Sequence, residues 1–209
     1  MSRMPLSRRN FLRSSAAAAA PLVIGRRAGA APASDPDALK VGLIGCGGRG
    51  TGAANQALHA EDGTVVLTAM ADVFADRLET SLGALREALG EDVDRVQVDD
   101  DHKFIGFDAV DRLLATDVDV VILATPPHFR PAHLAAAIAA GKHVFAEKPF
   151  AVDAPGVRSV LETAALAKSK KLALVSGFCW RYNERHRALY ERVHGGAIGD
   201  LRAIYTTYN

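Results

Sequence analysis

From residue 40 to residue 178, short unbroken apolar runs alternate with longer stretches in which apolar residues return every three or four positions. The runs at 40–44, 64–71, 96–98, 118–125, 143–146 and 172–178 have the length and composition of buried strands. The stretches between them have helical spacing. Residues 51–60 predict a helix of small residues. Phe74, Leu78, Leu82, Leu85 and Leu89 make one buried stripe of the next, and residues 109–115 close a third. A fourth, over 131–140, stops at Gly141, a residue suited to the left-handed conformation past a helix end. Asp153 caps the fifth, with Pro155 in its first turn. Its inner stripe is Val157, Val160, Leu161 and Ala164, and Lys168, Lys170 and Lys171 lie near its negative end.

Six strands alternating with helices predict a parallel sheet with right-handed crossovers. Strands that are apolar throughout require cover on both faces. The expected fold class is therefore α/β, a doubly wound parallel sheet over residues 38–178. The pattern then changes. Residues 184–194 read as a helix ended by Gly195-Gly196, and 201–209 alternate like a strand with one wet face. Such a strand needs neighbours, and none follows.

Residues 1–33 obey another rule. Arg8-Arg9 precedes Phe11-Leu12, an Ala-rich, weakly apolar run covers 14–25, and Arg26-Arg27 leads to Ala28-Gly29-Ala30. This is the layout of a twin-arginine export signal followed by a linker, with cleavage near Ala30 or Ala33. The expected product is periplasmic or otherwise extracytoplasmic, carried out already folded, with the export machinery as a partner. The leader also distorts the charge. Of 25 basic residues, six are arginines within residues 1–30, where there is no acid; 19 remain against 24 acids, or −5. A mildly acidic mature chain gives no support for a nucleic-acid surface. No apolar run approaches the ~20 residues of a membrane-spanning helix. Two cysteines, Cys46 and Cys179, make neither a disulfide framework nor a metal-type cluster. No metal-ligand pair of histidines is evident. The acidic stretch 91–102 lacks fixed ligand spacing and reads as a solvated loop around the strand at 96–98.

The first strand runs into Gly45-Cys46-Gly47-Gly48-Arg49-Gly50 and then a helix, which is the context a G-x-G-x-x-G dinucleotide fingerprint requires. Gly45 allows the tight turn, Gly47 lets the backbone approach a pyrophosphate, and Gly50 lets helix and strand pack closely. The helix N-terminus favours phosphate charge, and Arg49 adds a cation. Asp72 closes the second strand 22 residues beyond Gly50, where a carboxylate accepts hydrogen bonds from the ribose hydroxyls and repels a 2′-phosphate. NAD is therefore favoured over NADP, with Arg77 as a partial offset. Cys46 reads as a small loop residue.

Ligands of such sheets lie beyond the carboxyl ends of the strands. Thr125-Pro126-Pro127-His128 follows the fourth strand and Glu147-Lys148-Pro149 the fifth. Proline fixes the backbone and suits a wall against a flat ring. His128 is either a cofactor or substrate contact or a solvent-facing turn residue; His133 and His143 read as packing residues. Lys148, at a crevice rim, suits an acid–base group or a binder of a substrate hydroxyl, against the plain alternative of a surface turn.

Four segments, "GLIGCGGRG", "ILATPPHFRP", "AAGKHVFAEKPF" and "GFCWRYN", occur in this order. Together they resemble the Gfo/Idh/MocA family of NAD(P)-dependent oxidoreductases, over residues 40–209. The resemblance implies a Rossmann dinucleotide-binding domain followed by the start of an α+β open-sheet substrate domain at 179–209, truncated here. It implies an NAD(P) cofactor and a catalytic Lys148 at the substrate hydroxyl, within a Glu147-Lys148-Pro149 motif whose Lys-Pro bond is often cis. It places Thr125 to His128 along the cofactor and brings Trp180-Arg181 toward it, although Trp180 suits a packing role too. Arg130 stands where many members carry a histidine, so that contact is not carried over. The missing second domain would supply substrate contacts, the homo-oligomer surface and an Asp/His pair. The expected activity is hydride transfer between nicotinamide and a carbinol carbon of a sugar or cyclitol. The alternatives are an NAD-dependent glycoside hydrolase of related fold and a non-catalytic nucleotide-binding module.

Overall fold

The computed structural model describes residues 37–60 and 64–207; the leader and linker at 1–33 lie outside them. Six strands form one parallel sheet in the order β3-β2-β1-β4-β5-β6: β1 Leu39–Ile44, β2 Val65–Asp72, β3 Lys103–Ile105, β4 Val120–Leu123, β5 His143–Ala146 and β6 Leu174–Ser176. The order reverses between β1 and β4, so the loops after these two strands diverge and leave a crevice between them.

The described helices are α1 Gly48–Leu58, α2 Ala75–Leu89, α3 Ala109–Leu114, α4 Arg130–Ala139, α5 Ala154–Ser169 and α6 Glu184–His194. Successive strand residues point to opposite faces. Leu43 joins a core with Leu58 of α1 and Leu78, Leu82 and Leu85 of α2. Ile44 joins the opposite core with Leu113, Leu134 and Ile138. Each fully buried leucine contributes about 1.5–3 kcal/mol, which fixes helices on both faces.

Several expectations shift. The predicted strand at 96–98 is not one. Val96 and Val98 are buried against α2, but only one bridge, Val96 to Leu67, joins them to the sheet. The third strand comes after a 3-10 turn, Asp100–His102, in which the Asp99 side chain accepts from His102 N; Lys103–Ile105 then pairs with Met70 to Asp72. The acidic stretch thus caps a turn and pairs with Lys103 through Asp100.

The first helix starts at Gly48 rather than at 51, with Gly47 as its cap and Thr51 N donating to the Gly47 carbonyl at 2.9 Å. Phe74 leaves the predicted stripe. It caps α2 at 63% exposure, while Leu78, Leu82, Leu85 and Leu89 are buried. On α5 the stripe is turned. Val157 and Leu161 face solvent, and Thr163 and Ala167 are buried, with Val160 packed beside them. Residues 201–207 form no regular structure, and no described strand pairs with them.

Asp153 caps α5 as expected, accepting from Gly156 N at 2.7 Å. Asp153→Ala should cost about 1 kcal/mol, lowering Tm by roughly 2–4 °C in a thermal melt.

Candidate active site

The three loops that follow β1, β4 and β5 meet at the carboxyl edge of the sheet. Gly45 has φ 96°, a conformation that costs any other residue strain, and a Cβ there would lie 2.7 Å from Thr125 N. The glycine turn is therefore pressed against the β4 loop. Gly50 is tighter still, since its Cβ would fall 1.9 Å from the Gly45 carbonyl oxygen. At Gly47 and Gly48 nothing lies within 4 Å of such a Cβ. Two glycines thus close the turn, and two leave the start of α1 bare.

Asp72 ends β2 beside this turn. Its Oδ2 accepts from Cys46 N at 2.7 Å and its Oδ1 from Phe74 N at 3.0 Å. Both bonds fix the carboxylate along the edge of a cleft of about 590 Å³. Gly45, Gly47, Asp72, Thr125 and Pro126 line that cleft, together with Phe74, Phe107, Phe129 and His133. Burial, and after it the Asp72 carboxylate, pushes the Cys46 thiol far above its ordinary range, so it is inert.

The cleft fits a dinucleotide on this chain's own geometry. The bare helix start would take the pyrophosphate on backbone N–H groups. Asp72 would take the ribose hydroxyls, and Phe74 and Phe107, which line the same cleft, would offer apolar contact to a flat base.

Beyond β5 the chain turns at Glu147-Lys148-Pro149, with the Lys148–Pro149 bond cis. Lys148 is exposed, and both its neighbours are tied down. Glu147 is 4% exposed, and its Oε1 accepts from Arg49 Nε of α1 at 2.7 Å. The Pro149 carbonyl accepts from Arg130, whose other Nη donates to the Thr125 carbonyl. Arg130 is itself 2% exposed. Burial holds its pKa below the usual arginine value, with Glu147 pulling the other way.

A match to the family model of the Gfo/Idh/MocA oxidoreductases, described as an oxidoreductase family with an NAD-binding Rossmann fold, covers residues 39–178. The chain belongs to that family. A twin-arginine translocation signal sequence matches residues 5–25. Among curated relatives, the chain is 34% identical to an inositol 2-dehydrogenase of Pseudomonas savastanoi pv. phaseolicola over 82% of its own length and 46% of the relative's. It is 29% identical to a dTDP-3,4-didehydro-2,6-dideoxy-alpha-D-glucose 3-reductase of Actinomadura kijaniata over 81% and 45%. Among solved structures, a myo-inositol 2-dehydrogenase from Lactobacillus plantarum superposes with a TM-score of 0.60 at 26% identity, over 78% of this chain and 42% of that one. A 3-ketoreductase from Actinomadura kijaniata in complex with NADP gives 0.59 at 29%, over 79% and 47%. The chain spans about half the length of these relatives.

Within this family frame, two of the charged candidates pair with each other, and His128 takes the solvent-facing place that the sequence also allowed. Arg49 is engaged by Glu147, so it is not a free cation, and the Glu147 carboxylate faces the interior rather than the cleft. His128 is exposed and meets Phe129 edge-on at 5.3 Å, while Pro127 is half-buried. Trp180 stacks on His186 at 5.6 Å, and Arg181 lies over Phe178; neither lines the cleft.

His133 does line it. Its ring stacks on Phe129 at 5.9 Å, its Nδ1 lies 3.2 Å from Thr125 Oγ1, and burial lowers its pKa. His143 has a packing role, with Nδ1 accepting from Ala173 N at 2.8 Å. Phe107 and the bridging role of Arg130 were not signalled by the sequence. Phe107 follows Gly106 (φ 111°) just past β3, and a correctly placed third strand would have pointed to it. Arg130 carried no such signal.

Proposed function

We propose that this chain binds NAD in the cleft and serves an exported oxidoreductase acting on a sugar- or cyclitol-like alcohol. The observation that carries the reading is the glycine turn with Asp72 beside it, a pyrophosphate seat and a ribose acceptor in register. The relatives named above as inositol 2-dehydrogenases and a deoxysugar 3-reductase support the substrate class. When bound, the nicotinamide supplies the hydride acceptor or donor. Lys148 Nζ would position the substrate hydroxyl as the carbonyl forms, or protonate its oxygen as the carbonyl collapses. Thr125 and Pro126 form the wall along the cofactor, and Phe74 and Phe107 flank the adenine. The match to a twin-arginine signal supports passage out of the cytoplasm in folded form, with cleavage near Ala30 or Ala33. No described helix is long and apolar enough to cross a membrane. Assembly as a homo-oligomer belongs to the same reading.

NAD is favoured over NADP because the Asp72 carboxylate, held by two backbone donors, would accept from ribose hydroxyls and repel a 2′-phosphate. The test is calorimetry with both nucleotides. Asp72→Asn is expected to weaken NADH about tenfold and to strengthen NADPH, since a charge-assisted hydrogen bond is lost in the first case and a like-charge repulsion in the second. No binding of either nucleotide would overturn the cofactor reading. Tighter binding of NADPH than NADH by the unmodified chain would overturn the choice between them.

A further inference from the structure

Arg49 stands where elementary electrostatics disfavours it. It is the second residue of α1, at the positive end of the helix, where a cation is destabilising. Two contacts hold it there. Its Nη2 donates to Gln56 Oε1 at 3.3 Å, two turns on, and its Nε donates to Glu147 Oε1 at 2.7 Å. Glu147 in turn is almost fully buried, which a carboxylate tolerates only with a partner. Space is kept for it by Gly177 beyond β6, where a Cβ would lie 2.9 Å from its carboxylate carbon. The helix that starts the glycine turn is thereby tied, through one ion pair between residues 98 positions apart, to the residue that precedes Lys148.

We propose that the Arg49–Glu147 pair is the positioning link that sets Lys148 in register with the nucleotide, so that a diphosphate bound at the glycine turn orders the lysine turn. The inference rests on the reading of the cleft as a dinucleotide site. A diphosphate at the start of α1 brings negative charge to the helix end where Arg49 strains against the dipole, so it stabilises Arg49 where Glu147 needs it. Order in the glycine turn is then transmitted to Glu147 through this ion pair, a direct contact between the two segments. Glu147 and Arg49 are positioning residues in this account.

The test uses ADP, which carries the diphosphate and lacks the nicotinamide and its ribose. Amide hydrogen exchange is followed by mass spectrometry in the segment 147–151 of the chain of residues 1–209, with and without ADP. In the unmodified chain, saturating ADP is expected to slow exchange there at least about fivefold, the lower end of ordinary coupling between sites. In Glu147→Gln, which keeps the shape and removes the charge, the slowing is expected to fall below about twofold, and Arg49→Met should behave alike. The double variant should be no worse than either single one.

ADP that binds the unmodified chain without changing exchange at 147–151 would overturn the inference while leaving nucleotide binding intact. This arm needs no variant to fold. Equal slowing in the unmodified chain and in Glu147→Gln would assign the effect to direct shielding and would also overturn it. If neither ADP nor NADH binds, the cleft reading itself fails, and the inference with it.

Discussion

Gly50→Ala is expected to destabilise the chain by about 3 kcal/mol or more, roughly 6–12 °C in Tm, and to abolish measurable NADH binding. The added Cβ would fall 1.9 Å from the Gly45 carbonyl oxygen, and 3.2 Å from the Ala124 Cβ. A flexible side chain could move away from it; a backbone carbonyl in a turn already held at φ 96° and pressed against Thr125 N cannot. The only relief is to lift α1 off β1. That opens the core shared by Ala53, Ala54, Leu58 and Leu43, so the cost sits at the upper end for overpacking.

Gly47→Ala is the internal control. Gly47 has φ −73°, ordinary for alanine, and open space where its Cβ would go. Its Tm should stay within about 2 °C, while NADH affinity falls because the methyl group occupies the approach to the pyrophosphate. Thermal melts and calorimetry on the two variants separate a glycine required by the fold from one required by the ligand. Equal melting losses in both would remove that distinction.

These two glycines also show which parts of the site a sequence can display. A residue type forced by backbone geometry leaves a local mark, so Gly45, Gly50, Asp72 at a strand end and Pro149 were legible, as was the alternation that gives six parallel strands. Contacts across the chain leave no such mark. Arg49 and Glu147 each look like ordinary surface charges until β1 and β5 are set on either side of β4, and only then does their pairing appear.

Hydrophobic periodicity misled where close packing decided instead. On α5 the buried positions are Thr163 and Ala167, small enough to let α5 lie against α4, and the larger Val157 and Leu161 are pushed to the outside. At 96–98 the apolar residues serve the core without pairing, and the strand that completes the cleft comes five residues later, with Phe107 beyond it.

Arg130→Met is the second large effect, with an expected loss of about 2–4 kcal/mol, roughly 5–15 °C in Tm. Two opposing terms set this figure. The guanidinium donates to the Thr125 and Pro149 carbonyls, and a hydrogen bond to a charged group contributes about 1.5–3 kcal/mol. Against that, a buried cation carries a desolvation cost, and its Nε finds no partner. Methionine removes that cost and fills much of the volume with a flexible apolar chain. It cannot bridge two carbonyls, so the donor loss wins, and Glu147 also loses a nearby positive charge.

The damage should be local as well as global. Exchange at residues 125–130 and 149–151 should rise more than in the rest of the sheet, because the loops after β4 and β5 lose the side chain that joins them. Arg130→Lys should fall between the two, since an ammonium is a point charge without the planar fork that reaches both carbonyls. An unchanged Tm in Arg130→Met would show that desolvation of the buried cation cancels both hydrogen bonds, and that the two loops are held together by Gly45 against Thr125 and by the Arg49–Glu147 pair instead.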